Sequence, residues 1–164
     1  MKKKIAILGS TGSIGKCLID IIKKDKKNFE IILLSADENY KELLKQAKFF
    51  KVKNLIITNV HSYNKVKKNR LFKNINIYNN FNNFKKIFKK KIDYTMSSIS
   101  GIQGLKPTIE IIKYSKTIAI ANKEAIICGW DLIEKRLNKH KTEFIPVDSE
   151  HFSIWYALQN TEKN

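Results

Sequence analysis

The chain has 164 residues, 43% of them hydrophobic and only two of them proline, enough for one domain with a real core and unlike a disordered chain. Lysine and arginine number 32 against 15 acidic residues, a formal net charge of +17, and a field of that sign attracts anionic, phosphorylated ligands. The lysines are nevertheless scattered among asparagine and isoleucine, as in Lys85-Lys86 and Lys89-Lys90-Lys91, as A- and T-rich codon usage would produce; without an aromatic-interleaved basic motif, no nucleic-acid partner is expected.

The first element is an apolar run, Ile5-Ala6-Ile7-Leu8, that leads into Gly9-Ser10-Thr11-Gly12-Ser13-Ile14-Gly15 and then a helical pattern, Cys17-Leu18 to Ile21-Ile22. This reads as strand, glycine turn and helix start, the context in which a glycine-rich string binds a pyrophosphate. Free N–H groups and the positive end of the helix dipole face the anion, provided no Cβ blocks the approach. The spacing is G-x-x-G-x-x-G, as in some NADP-using dehydrogenases, and Thr11 and Ser13 add hydroxyl donors.

Further along, Phe29 to Ser35 reads as a buried strand, Tyr40 to Phe50 as a helix and Asn54 to Thr58 as a short strand. A polar helix over Ser62 to Leu71 precedes a strand over Asn74 to Tyr78, and the asparagine-rich stretch from Lys73 through Asn83 is expected at the surface. Asn82 to Phe88 is helical, Asp93 to Ser97 a strand, Gly104 to Tyr114 a helix, and Lys116 to Ala121 a strand. Lys123 to Asn138 is helical and Thr142 to Val147 the last strand. Strands alternating with helices predict an α/β fold, a Rossmann-like, mostly parallel sheet with helices on both faces.

Cys17 and Cys128 are too few for a disulfide framework or a zinc knuckle and are expected as small buried residues in a reducing compartment. Met1-Lys2-Lys3-Lys4 is followed by only four apolar residues before the glycines. Neither a secretory signal nor a membrane span is expected, and the location is read as cytoplasmic.

Ligands of such sheets bind beyond the carboxyl ends of the strands. Three segments occupy that position: Ser97-Ser98-Ile99-Ser100-Gly101, Ala121-Asn122-Lys123-Glu124 and Pro146-Val147-Asp148-Ser149-Glu150-His151. Asp148 and Glu150, two apart after a strand, could direct both carboxylates at a hard cation such as Mg²⁺ or Mn²⁺. The same Asp-Ser-Glu also reads as a helix N-cap with an acidic first turn. Lys123 could bind a phosphate or polarise an oxygen, or simply be solvated.

The glycine loop Gly9 to Gly15, then Ser100-Gly101 with Gly104-Leu105 and Pro107-Thr108, then Ala121-Asn122-Lys123-Glu124 and Pro146-Val147-Asp148-Ser149-Glu150-His151 occur in an order and at a spacing that resemble the 1-deoxy-D-xylulose 5-phosphate reductoisomerase family, over the whole chain. The resemblance implies conversion of 1-deoxy-D-xylulose 5-phosphate to 2-C-methyl-D-erythritol 4-phosphate in non-mevalonate isoprenoid synthesis, with NADPH and Mg²⁺ or Mn²⁺. It implies that Thr11, Gly12, Ser13 and Ile14 hold the cofactor pyrophosphate, that Asn39 belongs to the cofactor site, and that Asn122 and Glu124 contact the nicotinamide half. Lys123 and Ser149 would touch substrate, and Asp148 and Glu150 would be two metal ligands. No role transfers to His151.

The sequence departs from that family in two ways. Where the family commonly places Gly-Lys-Asn against the ribose 2′-phosphate, this chain reads Asp37-Glu38-Asn39. A carboxylate there favours the 2′-hydroxyl of NAD; NADPH is expected nonetheless, with lysines such as Lys41 offsetting the acids. The family also continues beyond the segment matched here, with a third metal-ligand glutamate, substrate-phosphate residues and a lid. Residues 1–150 are accordingly expected to be an NADP-binding domain and 151–164 the start of a catalytic domain. Residues 1–164 are expected not to turn substrate over alone, and the full-length form is expected to be a homodimer. The alternatives are a non-catalytic nucleotide-binding module, and a dehydrogenase of the aspartate-semialdehyde type, for which Cys128 lacks a supporting context.

Overall fold

The computed structural model describes residues 1–69 and 72–161, without the side chains of 149–151 and 159–161. Its strands are β1 (Lys3–Leu8), β2 (Phe29–Ala36), β3 (Asn54–Ile57), β4 (Asn76–Tyr78), β5 (Ile92–Ser97), β6 (Ser115–Ile120) and β7 (Glu143–Pro146). They form one sheet in the order β4-β3-β2-β1-β5-β6-β7, every pairing parallel. The helices are α1 (Ser13–Lys24), α2 (Tyr40–Phe50), α3 (Val60–Lys68), α4 (Phe84–Ile87), α5 (Leu105–Ile111), α6 (Lys123–His140) and α7 (Ser149–Thr161).

The central strands are apolar on both faces because helices cover both. Ile5 and Ile7 of β1 pack with Ile19 and Ile22 of α1, Leu43 of α2 and Val66 of α3. Ala6 and Leu8 face the other way, into a cluster with Phe84 of α4, Ile111 of α5 and Ile126 and Ile133 of α6. The pairing of β1 with β2 shifts once, Ile5 opposite Ile31 but Ala6 opposite Leu33. This bulge sends Ile32 and Leu33 to the same face before Leu34 returns to the α1 side.

Three asparagines start helices by accepting a backbone N–H: Asn39 from Glu42 at 3.2 Å, Asn59 from Ser62 at 2.9 Å and Asn122 from Ala125 at 2.9 Å. α6 bends at Gly129, whose φ and ψ are −133° and 18°; a Cβ there would lie 2.8 Å from Leu105 Cδ2, so the missing side chain lets α6 close over α5.

Some expectations shift. The helix expected over 104–114 divides into a 3₁₀ turn at Ile102–Gly104, α5 and a second 3₁₀ turn at Ile112–Tyr114. That expected over 82–88 is the short α4 behind a 3₁₀ turn at Phe81–Asn83. α3 begins at Val60 and ends at Lys68, while Leu71 lies outside the described residues. Cys17 and Cys128, expected inside, are exposed: the buried positions of α1 are Gly15, Ile19 and Ile22, and residue 17 falls on the opposite side of a 3.6-residue repeat. Among the described residues no helix is long and apolar enough to cross a membrane. α7 follows β7 and leaves Phe152, Ile154, Tyr156 and Leu158 exposed.

Candidate functional site

The strand order reverses at β1, which has β2 on one side and β5 on the other, and such a switch point opens a crevice at the carboxyl ends of the strands. A cleft of about 480 Å³ occupies it, lined among others by Gly9, Thr11, Gly12, Asp37, Thr58 and Ser98.

The glycines divide the work of the loop. Gly9 has a φ of 79°, and a Cβ there would sit 2.6 Å from the Ser98 carbonyl oxygen. The first glycine therefore makes the turn and admits the β5 loop. Gly15 is buried against the turn, where a Cβ would lie 2.6 Å from Ser10 Cα. Gly12 differs: its Cβ would meet only the Gly9 carbonyl oxygen, at an ordinary 3.5 Å. Gly12 lines the cleft, and its missing side chain leaves the backbone there uncovered. Gly12 is also the N-cap of α1, with no side-chain cap and no acidic residue in the first turn, so the helix start presents N–H groups to an anion unopposed. Thr11 is half-buried, and Ser13 and Ile14 are exposed beside it.

Two serines, buried Ser35 and half-buried Ser98, hold the loop. The Gly9 N–H donates to Ser35 Oγ at 2.9 Å, the Ser10 N–H to the Ser35 carbonyl at 2.9 Å, and Gln46 Nε2 to the Ser10 carbonyl at 3.0 Å. On the other side Ser98 Oγ donates to the Leu8 carbonyl at 2.8 Å. The loop is thus tied to β2, α2 and β5 before any ligand arrives. In the sequence Ser98 stands out only as part of a segment, and Ser35 and Gln46 do not stand out at all; a glutamine on the buried side of an otherwise apolar helix stripe is the one signal available.

Toward β2 and β3 the cleft is bounded by Asp37, whose Oδ1 accepts from Thr58 Oγ1 at 2.6 Å. Phe81 supplies an aromatic wall. Asn39, expected in the cofactor site, is one step further out and uses its side-chain oxygen to cap α2.

Toward β6, Asn122 is buried and its side chain is fully engaged. Its amide donates to the Gly101 carbonyl at 2.7 Å and to the Ile99 carbonyl, while its oxygen caps α6. Lys123 and Glu124 are exposed in the first turn of α6. Asp148 follows β7 and is half-buried, its carbonyl accepting the Phe152 N–H at 3.0 Å. The side chains of Ser149 and Glu150 lie outside the described residues; their backbone opens α7. Among the described residues no group of three or more His, Cys, Asp or Glu could hold a metal. Gly12, Asn122 and Asp148 therefore stand in a row along the ends of β1, β6 and β7, with the β5 loop between the first two.

The groups with shifted titration lie elsewhere. At the opposite end of the sheet, burial lowers the Lys91 pKa and raises that of Tyr94. The Lys116 ammonium and the Lys4 N–H hold the Asp93 carboxyl below the usual carboxylate range. These groups bear on stability rather than on the cleft.

Residues 5–129 match the family model described as 1-deoxy-D-xylulose 5-phosphate reductoisomerase. The chain belongs to that family. A reductoisomerase of Pelagibacter ubique is 59% identical over 99% of this chain, and one of Wolbachia pipientis wMel is 38% identical over 98%. Among solved reductoisomerase structures, that of Zymomonas mobilis in complex with NADPH superposes with a TM-score of 0.83 at 32% identity, covering 92% of this chain and 40% of that one. A complex with NADPH, fosmidomycin and magnesium gives 0.82 at 28% identity, covering 91% of this chain and 37% of that one. The chain spans about two-fifths of the length of the curated reductoisomerases it matches, 42% of the Pelagibacter protein.

Proposed function

We propose that this chain is the dinucleotide-binding part of a cytoplasmic reductoisomerase that rearranges and reduces 1-deoxy-D-xylulose 5-phosphate to 2-C-methyl-D-erythritol 4-phosphate. The observation that carries the reading is Gly12: the loop around it is tied to β2, α2 and β5, and at Gly12, which lines the cleft, an added Cβ would meet only the Gly9 carbonyl oxygen at an ordinary distance. Family membership and the NADPH in the Zymomonas relative supply the cofactor.

In this reading Thr11, Gly12, Ser13 and Ile14 seat the pyrophosphate on the start of α1, and Asn39 closes the adenosine end. Glu124 is assigned to the nicotinamide half with Asn122, whose side chain acts chiefly by holding the Ile99–Gly101 loop in place. Lys123 and Ser149 contact substrate. Asp148 and Glu150 offer carboxylate oxygens suited to Mg²⁺ or Mn²⁺, and the bound ion would act as a Lewis acid on the substrate oxygens. Residues 1–150 form the cofactor domain and 151–164 begin the catalytic one. The remainder of the site, and the contacts of a homodimer, are assigned to the part of the relatives that this chain does not match. The chain alone is therefore proposed to bind the dinucleotide without turnover.

Titration of the 164-residue chain with NADPH, followed by nicotinamide fluorescence, tests this. Saturable binding that Gly12→Ala weakens at least tenfold, with the circular dichroism spectrum and urea midpoint little changed, is the expected result. Absence of binding, or equal binding by the variant, would refute it.

A further inference from the structure

The far end of the cleft departs from what a 2′-phosphate requires. Among the described residues that line the cleft there is no lysine or arginine, and Asp37 is the one charged residue. Its carboxylate is exposed but not free to turn, because Thr58 Oγ1 donates to Oδ1 at 2.6 Å. The backbone beneath is fixed as well: the Thr58 N–H donates to the Ala36 carbonyl at 3.1 Å, and Tyr40 N–H and Ser62 Oγ both donate to the Glu38 carbonyl, at 2.7 and 3.2 Å. Oδ2 is left for a further donor. Asp37 directly follows β2, the strand after the glycine loop, about 20 residues on, where an acidic side chain takes the ribose 2′-hydroxyl of an unphosphorylated dinucleotide. A 2′-phosphate at that position would face the Asp37 carboxylate, with acidic Glu38 next in sequence and Lys41 in the first turn of α2 the nearest cation in sequence.

We propose that Asp37, aimed by Thr58, is a specificity-determining residue that makes this chain accept NADH alongside NADPH. The inference rests on the dinucleotide reading above and concerns only the adenosine 2′ position. Two hydroxyl hydrogen bonds, one from Thr58 and one from the ribose, satisfy the carboxylate when NADH is bound, whereas NADPH must place like charge against it.

Isothermal titration of the 164-residue chain with NADH, NADPH, 5′-ADP and 2′,5′-ADP tests it without any turnover. NADH is expected to bind within about tenfold of NADPH or more tightly, with the two adenosine fragments keeping the same ratio. Asp37→Asn should move the ratio about tenfold toward the 2′-phosphorylated ligands, because the charge is gone and the shape is kept. Thr58→Val, which frees the carboxylate to swing away, should move it in the same direction by less. A wild-type preference for NADPH of more than tenfold, or a ratio unmoved by Asp37→Asn, would overturn the inference while leaving the dinucleotide reading intact. A folded chain that binds none of the four ligands overturns both.

Discussion

The side-chain amide of Asn122 donates to the carbonyl of Gly101 at 2.7 Å, so the end of β6 holds the loop that follows β5. The same side chain reaches the Ile99 carbonyl and caps α6 through Ala125, and it is buried. Asn122→Ala removes a helix cap and strips two carbonyls of their donor, an expected loss of roughly 2–4 kcal/mol. Asn122→Asp keeps the cap but turns an acceptor toward the two carbonyls, and should be at least as damaging. Urea denaturation of both variants checks this; an alanine variant within about 0.5 kcal/mol of wild type would show that the three bonds do not matter.

Gly12 and Gly15 are alike in sequence and opposite in consequence. A Cβ at Gly15 would press on the backbone of Ser10, which is itself pinned to β2, and Gly15→Ala is expected to destabilise by roughly 3 kcal/mol. At Gly12 the added carbon meets nothing but an ordinary contact with the Gly9 carbonyl, so Gly12→Ala should stay within about 1 kcal/mol of wild type. Thermal melts of the pair measure the contrast. Equal losses would mean that the loop is less rigidly braced than its hydrogen bonds indicate.

Local chemistry carried most of this fold, because each signal was confined to a few adjacent residues. The run Ile5 to Leu8 ahead of Gly9 identified β1, the turn and α1 together, and the alternation of apolar runs with helical stretches led to a parallel sheet. The bulge at Ile32 and Leu33 was not legible, since a strand buried on both faces is apolar throughout and carries no phase. Cys17 was misplaced for a related reason: composition makes cysteine a buried residue, while the helix face is decided by Gly15, Ile19 and Ile22. In the site, Asp37 was visible as a departure from the family pattern. Its contact with Thr58 was not, because it joins the ends of two neighbouring parallel strands. Ser35 and Gln46, which hold the glycine loop, are likewise distant from it in sequence.

Acidification should weaken this protein in two stages. Burial lowers the His140 pKa below its ordinary value of 6.5, and the charges of Arg136, Lys139, Lys91 and Lys113 add to this. A group whose folded pKa lies below its unfolded one penalises the native state once the unfolded chain begins to take up the proton. Stability is therefore full above pH 6.5 and falls as the pH drops through the folded value. His140→Gln should flatten that stage. Asp93, held below 3.8 chiefly by the Lys116 side chain and the Lys4 N–H, produces the second: its contribution is present above pH 3.8 and is lost as pH falls through the depressed folded value. Asp93→Asn should cost stability at pH 7 and make little difference at the acid limit. Urea midpoints between pH 8 and pH 3 read both, and a His140→Gln profile parallel to wild type near pH 6 would contradict the first.

Asp148 and Glu150 stand after the last strand of a chain with net charge +17, and both facts weigh on metal affinity. Two carboxylates leave a hard, oxygen-seeking cation mostly hydrated, and among the described residues, which leave out the side chains of 149–151, no group of three or more His, Cys, Asp or Glu could hold a metal. The surrounding positive field opposes a divalent ion before it reaches either carboxylate. Mn²⁺ titration of the 164-residue chain, followed by electron paramagnetic resonance of the free ion, should therefore give a dissociation constant of about 1 mM or weaker. Asp148→Asn should weaken it further. Raising ionic strength screens two opposing terms, the general repulsion and the local attraction, and because Asp148 is half-buried the local term is screened less. Moderate salt should thus leave the affinity unchanged or slightly improved. Micromolar binding by the wild-type chain would show that two carboxylates suffice here, and a sharp loss of affinity with salt would show that the ion sits in the open diffuse field rather than at Asp148.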